Sequence, residues 1–111
     1  MIDCWATWCG PCMKKMPTLK RLHDQDASRL TVLGINFDDD SEVCERAVEK
    51  LDLPWMQNHG VSSRGEHVEA WSQISKISTL PRLLLVHPQG ILIRKVSPLQ
   101  INEIVEDELD K

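Results

Sequence analysis

The chain has 111 residues, of which 41% are hydrophobic and 27% are charged. This length and balance fit one globular domain, residues 1–111, with a modest core. Its formal net charge of −4 offers no basic surface for nucleic acid, and the sequence has no run of about 18 apolar residues, the length that a membrane-spanning helix needs. We expect a monomeric domain with no nucleic-acid partner and no membrane span.

The first half of the chain predicts two strands and two helices in alternation. Residues 1–5 read as an apolar strand that contains one charged residue, Asp3. Residues 10–23 carry apolar side chains at roughly helical spacing. Residues 30–37 form a nearly continuous apolar strand, as expected where helices cover both faces of a sheet. Residues 41–51 predict a helix with Ser41 as its N-cap.

The second half begins with a long connection over residues 52–76. Its prolines, glycines and serines predict a largely irregular path, with a short helix near Glu66–Ile74. Strands over 82–87 and 91–96 flank a proline- and glycine-containing turn and should pair as a hairpin. A helix over 98–109 follows. The order β-α-β-α-β-β-α indicates an α/β fold.

Two cysteines lie two residues apart where the first strand leads into the first helix, in the segment Trp8-Cys9-Gly10-Pro11-Cys12. Residues three apart on a helix have Cα atoms about 5 Å apart, which a disulfide can span. At the helix N-terminus, unpaired N–H groups and the helix dipole favour a thiolate, which lowers the pKa of Cys9 into the range of about 3.5–7.5. Pro11 suits the first helical turn, and Gly10 lets a substrate come close to the backbone. The motif predicts disulfide exchange with Cys9 as the nucleophile.

A different class of protein shares part of this cysteine pattern. Cys4, Cys9, Cys12 and Cys44 reproduce the ligand spacing of plant-type [2Fe–2S] ferredoxins, which are electron carriers. The bulky apolar residues between Cys4 and Cys9 oppose this alternative, because a cluster-binding loop must curl around the metal. Structural zinc is disfavoured because there is no second Cys-x-x-Cys motif and no histidine pair. We expect Cys4 and Cys44 to be small buried hydrophobes, with a bridge between them as the alternative.

The segment Asp3–Cys12 resembles the active-site segment of the thioredoxins. Pro17 matches the proline that kinks their active-site helix, and Ile77–Pro81 resembles the segment that ends in their cis-proline. Trp5–Cys9 and Leu33–Asp40 are most similar to the TlpA/ResA branch of thiol–disulfide oxidoreductases. The resemblance covers nearly the whole chain and implies a thioredoxin fold, with a central mixed four-stranded sheet flanked by helices. Relatives place further elements before the catalytic strand, so we expect those N-terminal elements to be trimmed here.

The resemblance also implies a function. It indicates a thiol–disulfide oxidoreductase that reduces protein disulfides through Cys9 and Cys12, without an organic cofactor or a metal. The Gly-Pro pair between the cysteines resembles the reducing members of the superfamily. The implied partners are protein disulfide substrates, apocytochrome c among them, and an upstream electron donor. The implied location is extracytoplasmic, with a cytoplasmic one as the alternative, and a redox-silent thioredoxin-like binding module is the alternative function.

The resemblance assigns a catalytic role to Asp3. This residue aligns with the buried aspartate that handles the proton of the second cysteine, whereas the alternative is a merely solvated strand residue. A carboxylate kept from water favours its neutral form and could exchange a proton near neutral pH. The lysine that commonly neighbours this aspartate in thioredoxins is replaced by Gly34, and Lys15 stands where the TlpA/ResA branch often has glutamate. Asp3 is therefore the one acid–base residue that the sequence predicts.

Substrate contacts are predicted around the redox pair. A cis bond before Pro81 would present the main chain of Leu80 to an extended substrate beside Cys9. Trp8 is predicted to lie exposed against the redox pair. The predicted substrate-binding residues are Trp8, Gly10, Pro11, Leu80 and Pro81.

Other residues near the site leave two interpretations open. Arg82 stands where relatives often have threonine, and it either acts on a thiolate or on substrate charge, or points at solvent. Trp55 and Trp71 either form part of a substrate-recognition surface or pack in the core. Trp5 is expected to pack beneath the active site.

Overall fold

A computed structural model of the chain describes residues 1–59, 80, 82–89 and 92–110. The described strands are β1 (Ile2–Trp5), β2 (Leu33–Asn36), β3 (Met56–His59), β4 (Arg82–Val86) and β5 (Leu92–Val96). The described helices are α1 (Gly10–Lys14), α2 (Met16–Gln25), α3 (Ser41–Leu51) and α4 (Ile101–Leu109), with a 3₁₀ turn at Pro98–Gln100 before α4. None of these helices is long and apolar enough to span a bilayer.

The described strands form one mixed sheet in the order β3-β2-β1-β4-β5. Strands β1, β2 and β3 run parallel, β4 is antiparallel to β1, and β5 is antiparallel to β4. Parallel neighbours need crossover connections, which the helices between them supply. β1 is the central strand, so the chain leaves the middle of the sheet after Trp5, at the carboxyl end of β1. The redox segment, Trp8–Cys12, follows directly.

The main core lies between the helices and the face of the sheet that carries Trp5 and Leu83. All four described helices contribute apolar side chains to this cluster, among them Met16, Leu19, Leu22, Cys44, Ile101 and Val105. The other face of the sheet is buried as well, at Cys4, Ile35 and Leu84. Burial of alternate side chains on both faces confirms the prediction made for the apolar run at 30–37.

The α/β thioredoxin fold is as expected, but the sheet has five described strands where four were predicted. The additional strand, β3, lies inside the 52–76 connection that was predicted to be largely irregular. Its sequence, Met56-Gln57-Asn58-His59, has no alternation of apolar and polar residues, so the pattern did not predict a strand. Backbone pairing with β2 holds it in place. The short helix predicted near Glu66–Ile74 lies outside the described residues.

The helix predicted over 10–23 is two helices, which meet at Lys15. Pro17 causes the break because it has no backbone N–H to donate to the carbonyl of Met13, one turn earlier. Lys15 closes α1, with its N–H on the carbonyl of Pro11 at 3.3 Å, and it opens α2. The break matches the kink that the resemblance implied, and it determines where the Lys15 side chain goes.

Two other helices begin differently from the prediction. Asp40, not Ser41, is the N-cap of α3, because its carboxylate accepts a hydrogen bond from the Glu42 N–H at 2.9 Å. The last helix starts at Ile101, after a 3₁₀ turn in which Ser97 accepts from the Leu99 N–H. Asp40 moves the cap of α3 one residue earlier than predicted. The 3₁₀ turn that contains Pro98 moves the start of α4 to Ile101.

Gly34 on β2 makes room for a side chain that supports the central tryptophan. Gln57 of β3 reaches over Gly34, and its Oε1 accepts a hydrogen bond from Trp5 Nε1 at 3.0 Å. A Cβ at residue 34 would overlap the end of the Gln57 side chain. The space above Gly34, the position that commonly carries lysine in thioredoxins, is therefore filled here by Gln57.

We predict that Gly34→Ala destabilises the fold by about 1–3 kcal/mol. The new methyl group would displace Gln57 and leave the buried indole N–H of Trp5 without its acceptor. Chemical denaturation followed by tryptophan fluorescence measures the difference.

Gly10→Ala is the matched control, since a Cβ at Gly10 meets no atom within 4 Å. It should leave stability within about 0.5 kcal/mol of the parent, as surface substitutions usually do. Equal stabilities for the two variants would contradict the role assigned to Gln57.

Candidate redox site

The Cys9 and Cys12 side chains form a disulfide, with their Cα atoms 5.2 Å apart. Cys9 is the N-cap of α1, and Pro11 occupies the first turn of the helix. The backbone N–H of Cys12 donates to Cys9 Sγ at 3.2 Å. The same donor would favour a thiolate on Cys9 once the disulfide is reduced. The placement at the helix start is therefore the one that the spacing of the motif predicted.

The two cysteines differ in their access to solvent. Cys9 is 5% exposed and Cys12 is fully buried. Trp8, Gly10 and Pro11 around them are exposed, with Trp8 at 69%. Cys9 therefore keeps a small exposed surface among exposed neighbours, whereas Cys12 has none.

Lys15 turns into the protein at the break between α1 and α2. Its side chain is 1% exposed, and its Nζ lies 2.7 Å from Asp3 Oδ1. The same Nζ donates to the carbonyl oxygen of Cys12 at 3.1 Å and contacts Met16 Sδ at 3.7 Å. Lys15 thus connects the carboxylate on the central strand to the main chain of the buried cysteine.

Asp3 is fully buried, so the alternative of a solvated strand residue is wrong. Burial raises the pKa of Asp3, and the neighbouring Lys15 cation opposes that rise. Burial lowers the pKa of Lys15, and Asp3 opposes that change in turn. Each member of the pair therefore opposes the effect that burial has on the pKa of the other.

The sequence singled out Asp3 and missed Lys15 as a member of the site. Lys15 was noted only as a departure from the glutamate of related proteins. A usable signal was present, because Lys15 follows Cys12 by three residues, one helical turn, and precedes the helix-breaking Pro17 by two. This spacing places Lys15 on the same side of the helix as Cys12.

A second buried carboxylate fixes the loop that leads to Cys9. Asp38, just beyond β2, accepts hydrogen bonds from the Thr7 backbone N–H at 3.0 Å and from Thr7 Oγ1 at 2.7 Å. Asn36 Nδ2 donates to the same carboxylate at 2.8 Å, and Asn36 Oδ1 accepts from the Asp38 N–H. The loop is therefore anchored directly before Trp8 and Cys9. This role of Asp38 was not predicted from the sequence.

The other two cysteines are free and buried. Burial raises the pKa of Cys4 to about 12 and the pKa of Cys44 to about 11. Neither the Cys4–Cys44 bridge nor the four-cysteine cluster site is present. In the described part of the chain, no three His, Cys, Asp or Glu side chains come together as metal ligands.

The other residues considered for the site lie in different surroundings. Leu80 is half-buried and packs against the core, while Pro81 and Trp71 lie outside the described residues. Trp55 is buried in the core, which answers the question left open for it. Arg82 is opposite Cys4 on β4, its partly buried side chain opposes the rise in the Cys4 pKa, and its Nε has no hydrogen-bond partner among the described residues.

We predict that Asp38→Ala lowers the free energy of unfolding by about 3 kcal/mol, because buried donors on Thr7 and Asn36 lose a charged acceptor. The amide hydrogen of Thr7 should also exchange faster with solvent, which NMR hydrogen exchange measures. The exposed neighbour provides the control: Asp39→Ala should change neither quantity. Unchanged Thr7 exchange in Asp38→Ala would show that the carboxylate does not hold the loop.

Comparisons with known proteins agree with this geometry. Residues 1–92 match the sequence profile of a family described as Thioredoxin-like. The thiol-disulfide oxidoreductase ResA of Bacillus thuringiensis is 24% identical over 111 residues, which are 99% of this chain and 61% of that protein. The thiol:disulfide interchange protein CycY of Rhizobium leguminosarum is 30% identical over 99 residues, which are 88% of this chain and 50% of that protein. The chain thus spans between half and two thirds of these relatives.

The fold is shared with solved structures. The crystal structure of the thioredoxin domain of a thiol-disulfide oxidoreductase from Bacteroides vulgatus superposes with a TM-score of 0.83 and 21% identity, and covers 97% of this chain and 76% of that one. At this identity the superposition shows the fold alone. Together with the profile match, it shows that the chain belongs to the thioredoxin-like family and is similar to its TlpA/ResA-type thiol–disulfide oxidoreductases.

Proposed function

We propose that this chain is a protein-disulfide reductase in which Cys9 attacks the substrate and Cys12 resolves the product. One observation carries the proposal. The two cysteines form a disulfide at the start of α1, with Cys9 5% exposed and Cys12 fully buried. This asymmetry gives each sulfur a separate task.

The reaction proceeds by two thiol–disulfide exchanges. The reduced Cys9 thiolate attacks one sulfur of a substrate disulfide, the substrate S–S bond breaks, and the leaving sulfur departs with the electron pair and takes up a proton. A mixed disulfide between Cys9 and the substrate results. Cys12 then attacks Cys9 Sγ, the bond to the substrate breaks, and the second substrate sulfur leaves as a thiolate. Two electrons pass to the substrate, and the Cys9–Cys12 disulfide forms.

Cys12 must lose its proton before it can attack, and Asp3 is the proposed base. Burial raises the pKa of the Asp3 carboxyl group, which makes it a stronger base than an exposed carboxylate. Lys15 bridges Asp3 and the Cys12 carbonyl, which supports a position of the carboxylate close to the redox helix. Asp3 later returns the proton to a departing thiolate or to water.

The substrate surface of this proposal surrounds Cys9. Trp8, Gly10 and Pro11 supply the exposed contacts, while Leu80 and Pro81 would present main chain to an extended polypeptide. An upstream dithiol protein would regenerate the reduced enzyme. The names of ResA and CycY support disulfide exchange as the reaction class, and the Gly-Pro pair supports the reducing direction.

Several wider features belong to the same proposal. The chain acts as one monomeric domain, without an organic cofactor or metal, on extracytoplasmic protein disulfides. The resemblance to TlpA/ResA-type proteins supports this location. Fractionation of cells that express the natural gene, with detection of this protein, would test it.

A trapping experiment tests the division of labour between the cysteines. Reduced Cys12→Ser protein, mixed with a disulfide-linked peptide, should accumulate a mixed disulfide through Cys9, because no resolving thiol remains. Peptide mapping by mass spectrometry identifies the linked cysteine. Cys9→Ser is the matched control and should trap little peptide, since Cys12 is buried. Faster alkylation of Cys12 than of Cys9 in the reduced parent would reverse the roles.

For Asp3 we predict an effect on the second exchange alone. Asp3→Asn should slow resolution by Cys12 by about 100-fold at neutral pH, the scale of general-base catalysis, while attack by Cys9 stays within about twofold of the parent. Stopped-flow measurements separate the steps, with the first measured in a Cys12→Ser background. Unchanged rates and pH profiles for both steps would remove Asp3 from the mechanism.

A further inference from the structure

We propose that Lys15 is a positioning residue that holds Asp3 as a carboxylate beside Cys12, so that Asp3 accepts the Cys12 proton at neutral pH. This inference rests on the proposed function and adds a residue to it. Lys15 does not touch the substrate and acts through Asp3.

The burial of Lys15 is the first observation. Lysine is almost never fully buried unless it is paired, and the preceding residue, Lys14, is exposed. Only 1% of the Lys15 side chain is exposed, and its ammonium group contacts Asp3, the Cys12 carbonyl and Met16 Sδ. An exposed lysine such as Lys14 keeps its hydration, whereas the buried Lys15 ammonium group loses it. The contacts with Asp3 and the Cys12 carbonyl must therefore compensate for that loss.

The second observation is the geometry of the pair. Lys15 Nζ lies 2.7 Å from Asp3 Oδ1 and 3.1 Å from the Cys12 carbonyl oxygen. Asp3 Oδ2 has no hydrogen-bond partner within the described ranges. One carboxylate oxygen is therefore engaged by the cation, and the other has a lone pair available for a proton.

The charge balance of the site explains why the cation matters. A buried carboxyl without a partner stays protonated, because burial penalises the charged form. A protonated carboxyl has no use as a base for the Cys12 thiol. The Lys15 cation opposes the effect of burial on Asp3. With Lys15 present, the site starts with the carboxylate that proton transfer requires.

Among the residues that the structure describes, few other charged or titratable groups act on this pair. Cys4 follows Asp3 on β1, Arg82 on β4 lies beside Cys4, and both redox cysteines belong to the α1 segment. Opposite Asp3, β2 supplies Gly34 and β4 supplies Leu83, which do not titrate. From α4, Glu103 lines the groove next to Lys15 but is exposed. Within the described residues, Lys15 is the cation in direct contact with Asp3.

The proton step is then complete. In the mixed disulfide, the Cys12 S–H bond breaks and its proton moves to an Asp3 oxygen. The Cys12 sulfur forms a bond with Cys9 Sγ, and the Cys9–substrate bond breaks with its electron pair on the substrate sulfur. Lys15 keeps its own proton throughout. Lys15 affects the pH at which Asp3 is ionised and can accept the proton.

The test measures the rate of resolution against pH by stopped flow, using reduced protein and a disulfide-linked peptide. Lys15→Met should raise the midpoint of the pH profile by about one unit or more, which corresponds to about tenfold slower resolution at pH values below both midpoints. Attack by Cys9, measured in a Cys12→Ser background, should not change. Lys15→Arg keeps the cation and should return the midpoint toward that of the parent.

Two further variants separate this role from a structural one. Lys14→Met removes a neighbouring exposed cation and should leave the midpoint unchanged. In an Asp3→Asn background, Lys15→Met should cause no further shift, because the carboxylate on which Lys15 acts is gone. A loss of stability in Lys15→Met without a shifted midpoint means that Lys15 is structural only, which overturns the proposal.

A measurement on the parent protein keeps the proposal testable if Lys15→Met does not fold. Carbon-13 NMR of the Asp3 carboxyl group should show it ionised at neutral pH, and a protonated carboxyl there overturns the role of Lys15. Failure of Cys12→Ser to trap peptide through Cys9 instead overturns the proposed function. The two failures are therefore distinguishable.

Discussion

A buried ion pair joins the redox helix of this protein to the centre of its sheet. Asp3 lies on the central strand and Lys15 at the break between α1 and α2. Breaking such a pair by removing one partner typically costs about 3–5 kcal/mol, because the remaining charge is left buried. The same interaction thus ties α1 to the central strand and opposes the effect of burial on the charge of Asp3.

The pair reaches this arrangement through two coupled departures from the thioredoxin pattern. Gly34 stands where thioredoxins commonly carry a lysine, and the space above it is filled by Gln57 from the additional edge strand. Lys15 supplies a cation from the helical layer, at the break between α1 and α2, and not from the sheet. A lysine at position 34 would collide with Gln57 and compete for Asp3, so the cation on the helix and the glycine on the strand fit together.

The parts of the fold and site that sequence reasoning predicted are those that local chemistry determines. The Cys-x-x-Cys spacing determined the disulfide, and apolar periodicity determined most strands and helices. The edge strand β3 was missed because its pairing with β2, and not its own side chains, makes it a strand. Lys15 and Asp38 were missed as site residues because their partners, Asp3 and Thr7, are distant or unremarkable in sequence. Only the folded structure brings these residues next to their partners.

Four cysteines could in principle pair in three ways, and an exchange enzyme passes repeatedly through states with a reactive sulfur. Here Cys4 and Cys44 are removed from that competition. At neutral pH a thiol with a pKa of about 12 is a thiolate in about one molecule in 100,000, and both residues are shielded from Cys9 substrates by burial. Burial thus confines disulfide exchange to Cys9 and Cys12. It also prevents Cys4 and Cys44 from forming non-native disulfides with the redox pair.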